Sequence, residues 1–300
     1  MILRVLEPGL YTLVVDFGRP RSRSLGVPVG GAADRTALAL GNALVGNPPD
    51  APALEMSLTG PTLQAGCELA CVVYGAPFAL TGTGDQLTHG TTFTLRPGEE
   101  LRIGSTAEGM RAYFCVRGGL RTAMVLGSRS GLEPLTAGAE LGCAPGRIGR
   151  RFVRARSQDY EPRVLRVVEG VQAGWFDAEE FYAHGFTVTP ASNRMGLRLD
   201  GKPLCRRGHQ ELLSEPVCPG AVQVTHDGRC IVLGVDGQTI GGYPKIAQVI
   251  SADLDKLGQL RPGEPIAFTK VSLDEAEALY RRKQAELSAW IVRLQTTLQG

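Results

Sequence analysis

At 300 residues the chain is long enough for about two ordinary domains, and its 43% apolar content supports cores of that size. Lys and Arg number 32 against 30 Asp and Glu, a net charge of +2, which excludes a broad electrostatic case for nucleic acid. No run approaches the roughly 18 apolar residues of a membrane helix. Arg4 and Glu7 interrupt the first apolar stretch, and the seven cysteines are scattered and odd in number, so the expectation is reduced thiols in a cytoplasmic protein.

The 39 Gly and 19 Pro are spread evenly between short apolar runs, the pattern of many strands joined by turns. In chain order, a helix is expected over 34–45, with Asp34 as its cap and Gly46-Asn47-Pro48-Pro49 as its stop. Strands follow at 69–73, 91–95 and 112–116, with turns at 82–85 and at Pro97-Gly98. Five arginines, Arg147, Arg150, Arg151, Arg154 and Arg156, then form either a solvated segment or a docking surface for an acidic partner. A join is expected there and at 157–162. Further strands are expected at 164–168, 186–189, 222–225 and 230–235, with turns at Asp200-Gly201, Asp227-Gly228 and Pro262-Gly263.

Three more helices are expected. Phe176, Asp177 and Phe181 have the spacing of a capped helix with a hydrophobic staple. A short helix is expected over 251–260. A last one starts at the box Ser272-Leu273-Asp274-Glu275 and carries Ala276, Leu279, Leu287, Trp290, Ile291 and Leu294 on one face. Leu95-Arg96-Pro97-Gly98-Glu99 returns as Leu260-Arg261-Pro262-Gly263-Glu264, an echo that suggests two related halves. So much strand with so little helix makes the chain mainly β.

Several familiar motifs fail. Gly196-Leu197-Arg198-Leu199-Asp200-Gly201-Lys202-Pro203 nearly spells a P-loop, but it lacks the final hydroxyl for Mg²⁺, and Pro203 cannot enter a helix interior; a strand and a turn are expected instead. His89, His184, His209 and His226 show no metal spacing, and Cys67 and Cys71 read as one face of a strand. No lysine follows a methionine, so a biotin attachment site is not expected. No metal is expected either.

Three Gly-rich segments each hold a cation: Asp16 to Asp34 with Arg19, Gly127-Ser128-Arg129-Ser130, and Asp236 to Lys245 through Gly241-Gly242-Tyr243-Pro244. Glycine lets backbone donors approach a ligand, and a fixed cation beside them suits a carboxylate or an oxyanion. Arg19, Arg129 and Lys245 are therefore expected in one cleft.

These segments, with Asn42, Leu54-Glu55, Gly60-Pro61, Gly118-Gly119, Ser192-Asn193-Arg194-Met195-Gly196, Ser214-Glu215-Pro216 and Gln223-Val224, resemble the allophanate hydrolase subunit 2 family, also called the biotin-dependent carboxyltransferase family, from residue 9 to about 268. Arg21-Ser22, Gly131 and Thr225-His226 depart from its usual residues and bear on the substrate rather than the fold.

The resemblance implies two cyclophilin-like β-barrel domains, 1–157 and 158–272, a few short helices, and a C-terminal helix over 273–300. It implies the C subunit of an ATP-dependent 5-oxoprolinase, converting 5-oxo-L-proline to L-glutamate with subunits A and B, the latter KipI-like. ATP is expected on a partner, and the isolated chain is expected to be inactive. Two other readings stay open: carboxyl transfer from carboxybiotin to a urea or amide nitrogen, and a KipA-like regulatory module that antagonises a kinase inhibitor.

The catalytic candidates are Arg19, Asp34, Glu55 and Lys245; the substrate-binding candidates are Ser128, Arg129, Arg194, Gly241, Gly242 and Tyr243. Asp34 is a helix cap, a catalytic carboxylate, or both. Glu55 is a buried base or a paired structural carboxylate. The arginines hold a substrate carboxylate or tie turns together through carbonyls. Ser192 and Glu215 are weaker candidates.

Overall fold

The computed structural model describes residues 1–82, 87–153, 163–208 and 211–296. Arg154, Arg156, His209, the join at 157–162 and turn residues 83–85 lie outside the described residues. The chain divides into two compact units. The first comprises Met1–Gly18, Asp34–Gln158 and Glu286–Gly300, the second Arg19–Ala33 and Asp159–Ala285.

The first unit contains β1 (Ile2–Glu7), β2 (Thr12–Val15), α1 (Arg35–Val45), β3 (Ala53–Ser57), β4 (Thr62–Ala65), β5 (Leu69–Gly75), β6 (Phe78–Gly82), β7 (Phe93–Leu95), β8 (Glu100–Thr106), β9 (Arg111–Val116) and β10 (Glu140–Gly142). They pair as two five-stranded sheets, β10-β1-β4-β8-β6 and β2-β3-β9-β5-β7. In β1 the period is two: Leu3 and Val5 enter the core while Arg4 faces outward to Glu140. Residues of β5 and β9 are buried on both faces because α1 covers the far side of their sheet, which is why both read as unbroken apolar runs.

Asp34 caps α1 by accepting from the Ala37 amide at 2.9 Å, and Gly46 ends it at φ +82°. Asn47, wholly enclosed, donates to the carbonyl of Val116 at 2.7 Å and accepts from the amide of Gly118 at 2.7 Å. The Gly46-Asn47-Pro48 and Gly118-Gly119 blocks thus form one buried clasp between helix and sheet.

The second unit contains β11 (Val164–Glu169), α2 (Ala178–Ala183), β12 (Phe186–Val188), β13 (Gly196–Asp200), β14 (Glu215–Pro216), β15 (Ala221–Val224), β16 (Cys230–Leu233), β17 (Ile240–Gly241), β18 (Lys245–Val249), α3 (Leu254–Leu257) and β19 (Pro265–Lys270). Seven strands close into a barrel, β11-β18-β15-β16-β13-β12-β19, and β14 pairs with β17 as a separate ribbon. Phe181 stacks on Phe268 at 4.7 Å inside that core, and Phe176 joins them, so the staple expected at the start of α2 is in place.

The helix expected over 251–260 is only α3, one turn over Leu254–Leu257, because the residues before it close turns through backbone bonds such as Asp253 to Ile250 instead. The near P-loop is strand β13, paired with β16. Last in the chain, α4 (Leu273–Thr296) begins where Ser272 Oγ accepts the amide of Glu275 at 3.1 Å. Among the described residues no helix is long and apolar enough to cross a membrane.

Candidate functional site

In the first unit the Gly127-Ser128-Arg129-Ser130 block is folded around one carboxylate. Asp16 Oδ1 accepts from Ser128 Oγ at 2.5 Å, Ser130 Oγ at 2.6 Å and the Gly18 amide at 2.7 Å, and Oδ2 accepts from the Arg129 amide at 2.6 Å. Burial alone raises the Asp16 pKa, but these donors outweigh it and hold the carboxyl below its usual range. The Arg129 guanidinium donates to the carbonyl of Thr122 in its own loop. Ser128 and Arg129 thus brace this loop against Asp16.

A second network lies under α1. Tyr113 accepts the Asp34 amide at 2.8 Å and donates to Glu55 Oε2 at 2.8 Å; Arg111 pairs with Glu55 Oε1 at 3.4 Å. Register places Glu55 opposite Tyr113 across β3 and β9. Asp34 and Glu55 are each 1% exposed. Burial first, then the charges of Glu55 and Asp34, push the Tyr113 pKa well above its usual range, so the phenol stays protonated and donates. Of the two alternatives for Glu55, the geometry displays the paired carboxylate, and Asp34 has its capping role.

In the second unit Arg194 grips Asp236 through two bonds, Nε to Oδ2 at 2.6 Å and Nη2 to Oδ1 at 3.0 Å, and donates to the carbonyl of Gly31 at 2.6 Å. Arg19 is 4% exposed, and its amide donates to the Val29 carbonyl at 2.6 Å. Gly30, at φ +63°, lies between: a Cβ there would stand 3.5 Å from Arg19 Nη1 and 3.8 Å from Asp236 Oδ1. The buried guanidinium of Arg19 and the Arg194–Asp236 pair thus flank the Gly30-Gly31 turn, whose Gly30 amide is held by the Val235 carbonyl at 2.9 Å.

A half-open polar cluster of this unit is on the outer face of the barrel, beside the β14–β17 ribbon. Lys245 Nζ pairs with Glu215 Oε1. Gln172 ties both down: its Nε2 donates to Glu215 Oε1 at 2.8 Å and its Oε1 accepts the Lys245 amide at 3.0 Å. The hydrogen bond from Lys245 leads in holding the Glu215 carboxyl below its usual range. Tyr243 meets His226 edge to face at 5.3 Å; Gly241 lies in β17, and Gly242 is exposed beside it.

Of the sequence candidates, Arg19, Arg194, Gly241, Gly242, Tyr243 and Lys245 fall in the second unit, and Asp34, Glu55, Ser128 and Arg129 in the first. Asp16, Tyr113, Arg111, Gln172 and Asp236 escape sequence reasoning as site residues, and Glu215 stands low among the candidates. Asp236 and Asp16 sit at the edges of the Gly-rich segments, which is the one local signal that points to them. Glu215 paired with Lys245 is 30 residues away, and no pattern announces such a pair.

Residues 25–270 match the family described as carboxyltransferase domain, subdomain A and B. The chain is 36% identical to the 5-oxoprolinase C subunit of Escherichia coli K12 over 92% of its own length and 93% of that protein's. It is 34% identical to the corresponding C subunit of Haemophilus influenzae Rd, covering 95% and 96%. Among solved structures it superposes on the K. lactis urea amidolyase with a TM-score of 0.87 at 27% identity, over 96% of this chain and 20% of that one.

Proposed function

Because this chain belongs to the carboxyltransferase domain family, subdomain A and B, we propose that it is the C subunit of a 5-oxoprolinase that opens 5-oxo-L-proline to L-glutamate at the expense of ATP, together with subunits A and B. The observation that carries this reading is the likeness to two bacterial 5-oxoprolinase C subunits across more than nine-tenths of both partners in each comparison.

The chemistry agrees. Ring opening breaks the lactam C–N bond as water adds to its carbonyl; the nitrogen leaves as the amine and the carbon becomes the new carboxylate. An amide carbonyl is a poor electrophile, so the step needs activation by ATP and donors for the developing oxyanion. The segment nearest to a nucleotide motif is strand β13, so ATP is assigned to a partner. Lys245, held in place by Glu215 and Gln172, supplies a fixed cation within a half-exposed polar cluster.

The test is reconstitution with subunits A and B. ATP-dependent glutamate release should require all three chains, and this chain alone should release none. ATP turnover by the clean single chain would overturn the assignment of ATP to a partner. The overlay on the urea amidolyase favours a second reading, carboxyl transfer to a urea or amide nitrogen. Carboxylation of urea from a carboxybiotin carrier, with no glutamate released from 5-oxoproline, would select it.

A further inference from the structure

Resting on the 5-oxoprolinase reading, we infer that Gln223 is the residue that recognises the amide edge of the substrate, accepting the N–H of a cyclic amide on the Lys245 face of the second barrel. Strand β15 alternates: Val222 and Val224 enter the barrel core, so Gln223 points outward. An outward glutamine between two valines reads as a solvated residue. Here it is 1% exposed, because the β14–β17 ribbon lies over it.

Register explains its company. Gln223 stands directly opposite Lys245 across β15 and β18, and the ladder slips between Val222 and Gln223. A bulge of this kind re-aims side chains at functional sites. It makes Gln223 and Lys245 cross-strand neighbours on the outer face of the barrel.

Two buried or half-buried carboxamides nearby, Gln172 and Gln248, have both ends engaged, whereas Gln238 is exposed to water. Gln172 donates to Glu215 and accepts from Lys245. Gln248 donates to the carbonyl of Pro219 at 2.9 Å and accepts from Cys218 Sγ at 3.3 Å. The Gln223 side chain makes a single long bond, Nε2 to the carbonyl of Tyr243 at 3.4 Å. A carbonyl only accepts, so this contact fixes which end is nitrogen and leaves Oε1 with no donor among the described residues. Oε1 is nevertheless not sealed from solvent, so a ligand N–H can replace the water that reaches it. Around it the rim is open: Glu215, Gln238 and Gly242 are half-buried or exposed.

The class of ligand follows from shape. A lactam is a cis amide, with N–H and C=O on one edge. A primary carboxamide offers C=O and N–H on one edge as well, so the two match by paired hydrogen bonds. Lys245 then stands beside the carbonyl where negative charge develops during ring opening.

The experiment uses the assembled three-subunit enzyme. It compares kcat/KM for 5-oxoproline with that for the lactone of the same skeleton, in which ring oxygen replaces N–H. Gln223→Leu should lower the lactam-over-lactone preference by on the order of tenfold to a hundredfold, the size of one lost buried hydrogen bond. Gln223→Glu keeps the acceptor and should retain more of that preference. Gly241→Ala provides an independent route, because its Cβ would fall 2.7 Å from Gln223 Nε2 and displace the carboxamide; the preference should drop in the same direction. A wild-type preference in a folded Gln223→Leu or Gly241→Ala enzyme would overturn the inference alone. A wild-type complex with no turnover of 5-oxoproline would overturn the functional reading and this inference with it.

Discussion

Each unit holds a carboxylate paired to a cation, and the two pairs are built differently. Glu55 of the first unit is 1% exposed, receives the Tyr113 phenol and faces Arg111, which is itself 4% exposed. In the second unit the Glu215 side chain is 33% exposed, and Lys245, its partner at 14%, lies under a two-stranded ribbon rather than inside a core. A sealed pair has no room for a ligand, and its worth is measured in folding. A half-open pair contributes little to stability, since water screens it, and remains available for chemistry.

That contrast is open to direct attack. Glu55→Ala removes the buried carboxylate that faces Arg111 and accepts from the Tyr113 phenol, so urea unfolding should show a loss of about 3–5 kcal/mol. A variant as stable as wild type but inactive would reverse the assignment. Lys245→Met should do the opposite: activity of the assembled complex should fall on the order of 10²–10³, while the melting temperature of the chain moves only a few degrees.

A smaller effect concerns acid. The Asp16 carboxyl is held below its usual range when folded, so its contribution is present above about pH 4, the unfolded value, and is lost as pH falls through the folded one. Asp16→Ala should cost about 1.5–3 kcal/mol at pH 7, from lost hydrogen bonds to a charged group. The gap to wild type should narrow toward pH 3 in urea titrations. A gap that stays constant would mean that Asp16 is not ionised in the fold. The smallest effect is expected at Arg147, whose side chain is 80% exposed in its pair with Glu68: Arg147→Ala should change stability by less than about 1 kcal/mol.

Local chemistry is readable from the residues in order. The echo at Arg96 and Arg261 proves to be one turn used twice: each arginine amide donates to the glutamate three residues on, at 2.8 and 2.9 Å, and Gly98 and Gly263 take φ +84° and +87°. Only glycine adopts that conformation at little cost, so the motif and its geometry are inseparable. Helix caps at Asp34, Asp177 and Ser272 are legible for the same reason, because donor and acceptor lie three residues apart. The blocks that carry the family resemblance point to the right loops, but the partners inside them are hidden.

What the sequence alone determined is therefore the mainly β class, the turns, the caps and the family. What only the tertiary structure decided is which polar groups are used up and which are spare. Asp16 reaches Ser128 across 112 residues, and Lys245 reaches Glu215 across 30. Gln223 follows the alternation of a solvated strand residue, yet is buried by a ribbon formed elsewhere in the chain. Burial and pairing depend on distances in space, which strand periodicity does not encode, and they separate an arginine bonded to a carbonyl of its own loop, Arg129, from a cation in a half-exposed pair, Lys245.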